Sequence, residues 1–270
     1  MTAPAPEHAL ECRAVSKTFG GVHAIEAVSF AVAVGSLTAL IGPNGAGKTT
    51  LFNAATNLFP PSSGEVMFFG KRAAGLSPHK IAADGIIRTF QTARVFPGMT
   101  TLENVMAGAH LHIRRGALAQ MLWTPASRGE ERHIVAKASA LLDLVHLRDA
   151  RDRPTTDLPI GAQKLVEIAR ALMAAPRLLL LDEPAAGLND RETAELAALL
   201  RAICDAGTTI MVVEHNMSLV MGVADRVFVL DAGRLIAQGA PHEIQDDPTV
   251  IEAYLGRAAE RTERSPGSAT

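Results

Sequence analysis

Apolar residues fall along this chain in two rhythms. Leu178-Leu179-Leu180-Leu181 is unbroken, the pattern of a parallel strand covered on both faces, and the runs Leu37–Ile41 and Thr209–Val213 also read as strands. Two further β-like runs, Ala9–Thr18 and Ala24–Val34, are separated by the turn Phe19-Gly20-Gly21. Glu65–Phe69 is a short strand, Gly85–Phe90 is an apolar run ending at Gln91, and Arg226–Leu230 with Arg234–Gln238 flank Asp231-Ala232-Gly233 as a hairpin. Helical spacing takes over at Leu51, Ala54, Ala55 and Leu58, and again at Leu196, Leu199, Leu200 and Ile203. From about Thr101 to Ala171 it dominates: Ile134, Ala138, Leu141, Leu142 and Val145 share one face, as do Leu165, Ile168, Ala169 and Leu172. The order predicts an α/β fold with a mostly parallel sheet, an N-terminal antiparallel β-subdomain and an inserted helical lobe. In residue terms the expectation is one domain over 8–256, with core and β-subdomain at 8–91 and 173–256, the lobe at 92–172, and a polar, disordered tail at 257–270.

Bulk properties narrow the function. A chain of 270 residues can bury a sizeable core, and its net charge of −2 leaves no basic excess to neutralise a nucleic-acid backbone, so no nucleic acid is expected as a partner. Cys12 and Cys204 are far apart and match no metal spacing, which suits reduced thiols in a cytosolic protein. Met1–Leu10 lacks the basic region and apolar run of a signal peptide, and no stretch approaches the ~20 apolar residues that span a bilayer. Any membrane role is then exerted from the aqueous side through partners.

The chemistry begins at Gly42-Pro43-Asn44-Gly45-Ala46-Gly47-Lys48-Thr49-Thr50, which fits G-x-x-x-x-G-K-[ST] between a strand and a helix. Glycines let backbone bend round an anion, and N–H groups at the helix start point at it. Lys48 supplies a cation for β- and γ-phosphates and Thr49 a hydroxyl for Mg²⁺, so the chain is expected to bind a nucleoside triphosphate in a P-loop NTPase core. Downstream, the apolar strand ends in Asp182-Glu183-Pro184, acidic groups where ligands bind in open α/β sheets. Asp182 is expected in the Mg²⁺ shell and Glu183 facing the water that attacks the γ-phosphate; His215 closes the next strand. Phe19, beside flexible glycines, suits stacking on a base or packing on the sheet. His110 and His112 flank Leu111 without further ligand candidates, the pattern of a solvated helix face.

In this combination the chain, from about Leu10 to Gly256, resembles the ATP-binding subunits of ABC transporters. The resemblance rests on the phosphate loop, Gln91 as the Q-loop, Leu178–Glu183 as the Walker B strand, Ala186-Gly187-Leu188-Asn189 as the D-loop and His215 as the switch histidine. It implies ATP and Mg²⁺ as cofactors, with Thr49, Gln91 and Asp182 toward the metal, Phe19 at the adenine-stacking position, and Glu183, His215 and Gln91 in hydrolysis. Finer strings, Arg88-Thr89-Phe90-Gln91, Glu214-His215-Asn216-Met217 and Ala253-Tyr254-Leu255-Gly256, are similar to the branched-chain amino acid uptake branch, and within it to the larger of two ATPase subunits. The implied partners are a second ATPase subunit, transmembrane permease subunits and, indirectly, a substrate-binding protein, at the cytoplasmic face of the inner membrane. The implied groove for a permease helix lies at Arg94–Met99 and Leu102–Val105.

One departure stands out. Where the family usually reads Leu-Ser-Gly-Gly-Gln, this chain has Leu158, Pro159, Ile160, Gly161 and Ala162. Two such subunits sandwich each ATP in that family, and Pro159 has neither the serine hydroxyl nor a backbone donor for the γ-phosphate. The loss of a hydrogen bond to a charged group, ~1.5–3 kcal/mol, weakens that contact without abolishing it, because Leu158, Gly161 and the following helix N-terminus can still face the phosphate. Competing readings are a P-loop kinase or GTPase, a subunit that holds ATP as structural glue, a soluble ABC protein in translation or DNA repair, and an importer of urea, amides or aromatic acids.

Overall fold

A computed structural model of the chain describes the backbone of residues 7–89, 94–111 and 125–263, and the side chains of 7–89, 94–110 and 129–255. Strands β1 (His8–Phe19) and β2 (Val22–Ala33) form a hairpin at the N-terminus. β3 (Leu37–Ile41) leads through the phosphate loop into α1 (Lys48–Ala55). β4 (Ser63–Phe68), β5 (Lys71–Arg72), α2 (Pro78–Ala83) and β6 (Ile86–Arg88) follow. The helical stretch holds α3 (Thr101–Met106), α4 (Pro125–Leu144) and α5 (Ile160–Met173). The chain then runs through β7 (Leu178–Asp182), α6 (Asp190–Asp205), β8 (Thr209–Val213), α7 (Met217–Val223), β9 (Arg226–Asp231), β10 (Arg234–Gly239), α8 (Pro241–Gln245) and α9 (Pro248–Glu263).

Two sheets result. The first is antiparallel, in the order β2-β1-β4-β5; the second runs β10-β9-β3-β8-β7-β6 and is parallel except for β10. The second sheet explains the unbroken apolar strand. Leu178 and Leu180 enter a core shared with α1 and the antiparallel sheet, while Leu179 and Leu181 enter the core shared with the helices. All four are fully buried, each worth about 1.5–3 kcal/mol of apolar transfer. The mostly parallel sheet and the antiparallel one are as the sequence pattern predicts.

Thr101 to Ala171 is not one continuous helical run. α3 gives way to a 3-10 turn at Ala107–Leu111, and two more, Arg148–Ala150 and Thr155–Asp157, lie between α4 and α5. Pro154 and Pro159 lack the N–H that would carry a helix through, and His146 takes a left-handed φ of 58° after α4. The irregular parts are pinned by Asn104, which is fully buried. The Phe96 N–H donates to its Oδ1 at 2.8 Å, and its Nδ2 donates to Phe96 O at 3.2 Å, Thr100 O at 3.1 Å and Thr155 Oγ1 at 2.8 Å. At the other end, α9 continues to Glu263, past Arg257 where composition predicts disorder. Ala258, Ala259, Glu260 and Arg261 are good helix formers, which outweighs polarity there. Among the described residues no helix is long and apolar enough to cross a membrane.

Candidate functional site

The phosphate loop is shaped by what cannot fit beside it. Gly42 has φ +150°, and a Cβ there would lie 2.0 Å from Leu230 O on β9; Gly47 has φ +98°, and its Cβ would lie 2.5 Å from Ala24 O on β2. Both glycines are therefore required by close backbone contact as well as by conformation. The Gly233 N–H of the β9–β10 turn donates to Ala46 O at 2.9 Å, tying that hairpin to the loop. Lys48 is buried, and its Nζ donates to Gly42 O at 2.7 Å and Pro43 O at 3.1 Å, so the ammonium is held inside the ring of backbone. Asn44, Gly45 and Thr49 are exposed at the rim, with Thr50 half-buried. Gly47 caps α1, and the helix's first N–H groups open toward the same ring.

The parallel register carries β7 and β8 to the same edge. Asp182, the last residue of β7, is buried, and Arg88 Nη2 donates to its Oδ2 at 2.9 Å. Burial pushes the Asp182 carboxyl up, against the pull of that guanidinium. Glu183 follows in a left-handed backbone, φ +47°, with its side chain 19% exposed. His215 is 54% exposed, and its Nδ1 lies 3.9 Å from Glu183 Oε2, so the two are neighbours without a hydrogen bond. A cation-filled anion cradle, two carboxylates and an imidazole thus share one sheet edge, the equipment for binding a polyphosphate and moving a proton beside it.

A sequence profile of the ABC transporter family matches residues 25–186. The chain belongs to the ABC transporter family. A second profile, that of the branched-chain amino acid ATP-binding cassette transporter, matches residues 234–260. The high-affinity branched-chain amino acid transport ATP-binding protein BraF of Pseudomonas aeruginosa is 42% identical over 250 residues, which cover 92% of this chain and 98% of BraF. Among solved structures, the ADP conformation of an ATP-binding cassette of an ABC transporter is 31% identical, with a TM-score of 0.78 over 92% of this chain and 99% of its own. A dimeric bacterial ABC transporter cassette is 26% identical, with a TM-score of 0.74 over 86% and 98% of the two chains. This ABC protein is accordingly a nucleotide-binding ATPase coupled to transport.

Of the remaining residues expected of an ABC cassette, the structure places two groups. Phe19 ends β1, 47% exposed as a residue, with its ring edge-on to Phe59 at 5.5 Å and the Lys17 ammonium 5.2 Å from its centroid. Leu158 is buried, Pro159 caps α5 without a side-chain bond, and Ile160 is exposed. Gly161 meets Leu188 and Glu192 of the D-loop region: a Cβ there would lie 3.0 Å from Leu188 Cδ2. Gln91 lies outside the described residues, as does His112. Among the described residues no group of three metal-ligating side chains occurs.

Three charged residues at the site carry no role in the sequence motifs, although Arg88 and Glu214 lie within the family strings. Arg88 pairs with Asp182, donates to Thr56 Oγ1 at 2.9 Å and stacks on Phe52. Lys164 donates to carbonyls beside Glu183, and the buried carboxylate of Glu214 accepts from N–H groups on both sides of the site. Their common signal is a charge where the apolar pattern predicts burial: within Gly85–Phe90, among Leu165, Ile168 and Ala169, and directly after Thr209–Val213.

Proposed function

We propose that this chain is the ATP-hydrolysing subunit of an importer for branched-chain or related hydrophobic amino acids, acting peripherally at the cytoplasmic face of the inner membrane. The observation that carries it is the convergence of the phosphate loop with Asp182, Glu183 and His215 at one sheet edge, in a chain 42% identical to BraF. Gly42–Thr50 takes the phosphates, with Lys48 on the β- and γ-groups and Phe19 under the base. Asp182 and Thr49 offer carboxylate and hydroxyl oxygens, the donors a hard cation takes, and with Gln91 would hold Mg²⁺. Mg²⁺, when bound, neutralises phosphate charge. Glu183 accepts a proton from water as its oxygen bonds to the γ-phosphorus; the bond to the bridging oxygen breaks, and ADP leaves with its electron pair. His215 and Gln91 orient that water and the γ-phosphate.

The closing surface comes from a second ATPase subunit, a reading supported by the existence of a dimeric cassette of this fold. Gly161 and the start of α5 present this chain's own surface to the partner's nucleotide, weakened by Pro159, Ile160 and Ala162, whereas Leu158, expected there from the motif, is buried in the core. The permease is met at a cavity of about 500 Å³ between β6 and α5, with Arg94, Val95 and Phe96 on its wall and Gly108 and Arg170 opposite; Leu102–Val105, expected in the groove, does not line it, and Asn104 and Val105 are buried. Phe96 is exposed there and Arg170 lies over its ring at 5.0 Å. A cytoplasmic permease helix seated in it passes closure on to the membrane subunits, and the substrate-binding protein delivers cargo to them.

Replacing Val95 and Phe96 together by Asp is expected to weaken permease binding by about 2 kcal/mol or more, roughly thirtyfold. Uptake of labelled leucine then fails while the purified subunit keeps its ATP affinity. Intact uptake in that variant overturns the placement of the groove. Stimulation of the complex's ATPase by loaded binding proteins tests the cargo: leucine, isoleucine and valine forms should stimulate, and a response confined to urea, amide or aromatic-acid forms overturns the assignment.

A further inference from the structure

Two buried ions of opposite sign hold the turn that carries Glu183. Lys164, in the second turn of α5, is 8% exposed, and its Nζ donates to Glu183 O at 3.2 Å, Pro184 O at 3.2 Å and Ala186 O at 2.5 Å. Glu214, fully buried, accepts from the N–H groups of Ala185 at 2.7 Å, His215 at 3.0 Å and Asn216 at 3.1 Å. The carbonyls and the N–H of one short turn are thereby claimed from opposite sides. A left-handed backbone at a non-glycine residue such as Glu183 costs about 1–3 kcal/mol and persists only where its surroundings over-determine it. Lys164 and Glu214 bond to that turn from both sides, beside the Glu183 N–H donated to Val213 O. Burial pulls the Lys164 ammonium down from its ordinary value, while Glu214, Glu167 and Glu183 favour its charge.

We propose that Lys164 is a positioning residue for hydrolysis: its ammonium, anchored on α5, fixes the backbone of the Glu183 turn and so aims the Glu183 carboxylate. The proposal rests on the reading of Glu183 as the base. It also connects the two nucleotide sites of a dimer. α5 opens at Ile160, directly after Leu158 and Pro159. The helix that faces the partner's nucleotide is therefore the one that holds this chain's own base, and closure on one ATP is transmitted to the turn serving the other. Motif reading passes over Lys164 because it touches no ligand.

The test compares Lys164→Met, Lys164→Arg and Glu183→Gln in the assembled transporter, by single-turnover and steady-state ATPase and by binding of a fluorescent ATP analogue. Lys164→Met is expected to lower the hydrolytic rate about ten- to a hundredfold, the scale of a misplaced catalytic group. KM and analogue affinity should stay within about twofold, the sign of a contribution realised only in the transition state. Lys164→Arg, which keeps charge and donors, should recover most of the rate. A wild-type rate in Lys164→Met overturns the proposal. So does a loss of rate, ATP affinity and thermal midpoint in step with no recovery by Arg, which is the behaviour of a merely structural residue. If the Met variant does not assemble, Lys164→Gln is read by the same criteria. Glu183→Gln separates the failures: if it still turns over, the base assignment falls and this proposal with it; if it is inactive while Lys164→Met is unimpaired, only the role of Lys164 falls.

Discussion

Gly47→Ala is expected to lose ATP binding by about 10²–10⁴-fold, the value of two hydrogen bonds to a charged group at ~1.5–3 kcal/mol each. The cause is steric. At φ +98° a methyl group would lie 2.5 Å from Ala24 O, and that carbonyl belongs to β2, so neither side can give way by a side-chain rotation. The loop must lift from the antiparallel sheet, and the N–H groups at the start of α1 lose their common focus. Thermal stability should fall too, by about 2–4 kcal/mol, combining left-handed strain in a non-glycine residue with overpacking. Gly75→Ala is the control: its φ is +77° but nothing lies within 4 Å of the added carbon, so only the conformational cost of about 1 kcal/mol is expected, with ATP affinity unchanged. Titration with ATP and thermal melts of both variants check this. Equal affinities in the two would mean that close contact does not shape the loop.

Glu183→Gln should lower the turnover of the assembled transporter by about 10²–10⁴-fold, the range of general-base assistance. The amide is the same size as the carboxylate and keeps the turn's backbone bonds, including the Glu183 N–H donated to Val213 O at 2.9 Å. ATP affinity should therefore hold, and the variant should accumulate nucleotide-bound complex. Turnover near wild type would remove Glu183 from the base role and pass it to another group at the edge.

Much of this was legible from residue order. The strands β3, β7 and β8 follow from apolar runs too short for helices, and the loop at Gly42–Thr50 follows from its glycine spacing, because both patterns arise from local backbone geometry. The breaks within Thr101–Ala171 were harder to see. Helical periodicity continues across Ala107–Leu111, but Gly108 is pressed against α5, where a Cβ would lie 2.0 Å from Arg170 O; that is a tertiary fact. The same limit applies to Arg88, Lys164 and Glu214. Each is a charge in an apolar context, which signals importance, but only the folded register shows that they converge on Asp182 and the Glu183 turn. Pro159 was legible as a loss, whereas the contact of Gly161 with Leu188 was not, since it joins segments far apart in the chain.

As proposed, this chain supplies the hydrolytic half of one ATP site and a weakened closing surface to the other. The most direct test is the ATPase rate of the assembled transporter carrying Glu183→Gln in this chain, set beside the rate with the equivalent change in the partner ATPase alone. The account predicts that the change here removes nearly all turnover, while the change in the partner, whose phosphate loop faces Pro159–Ala162, removes the smaller share. Equal losses from the two, or the larger loss from the partner, would contradict it.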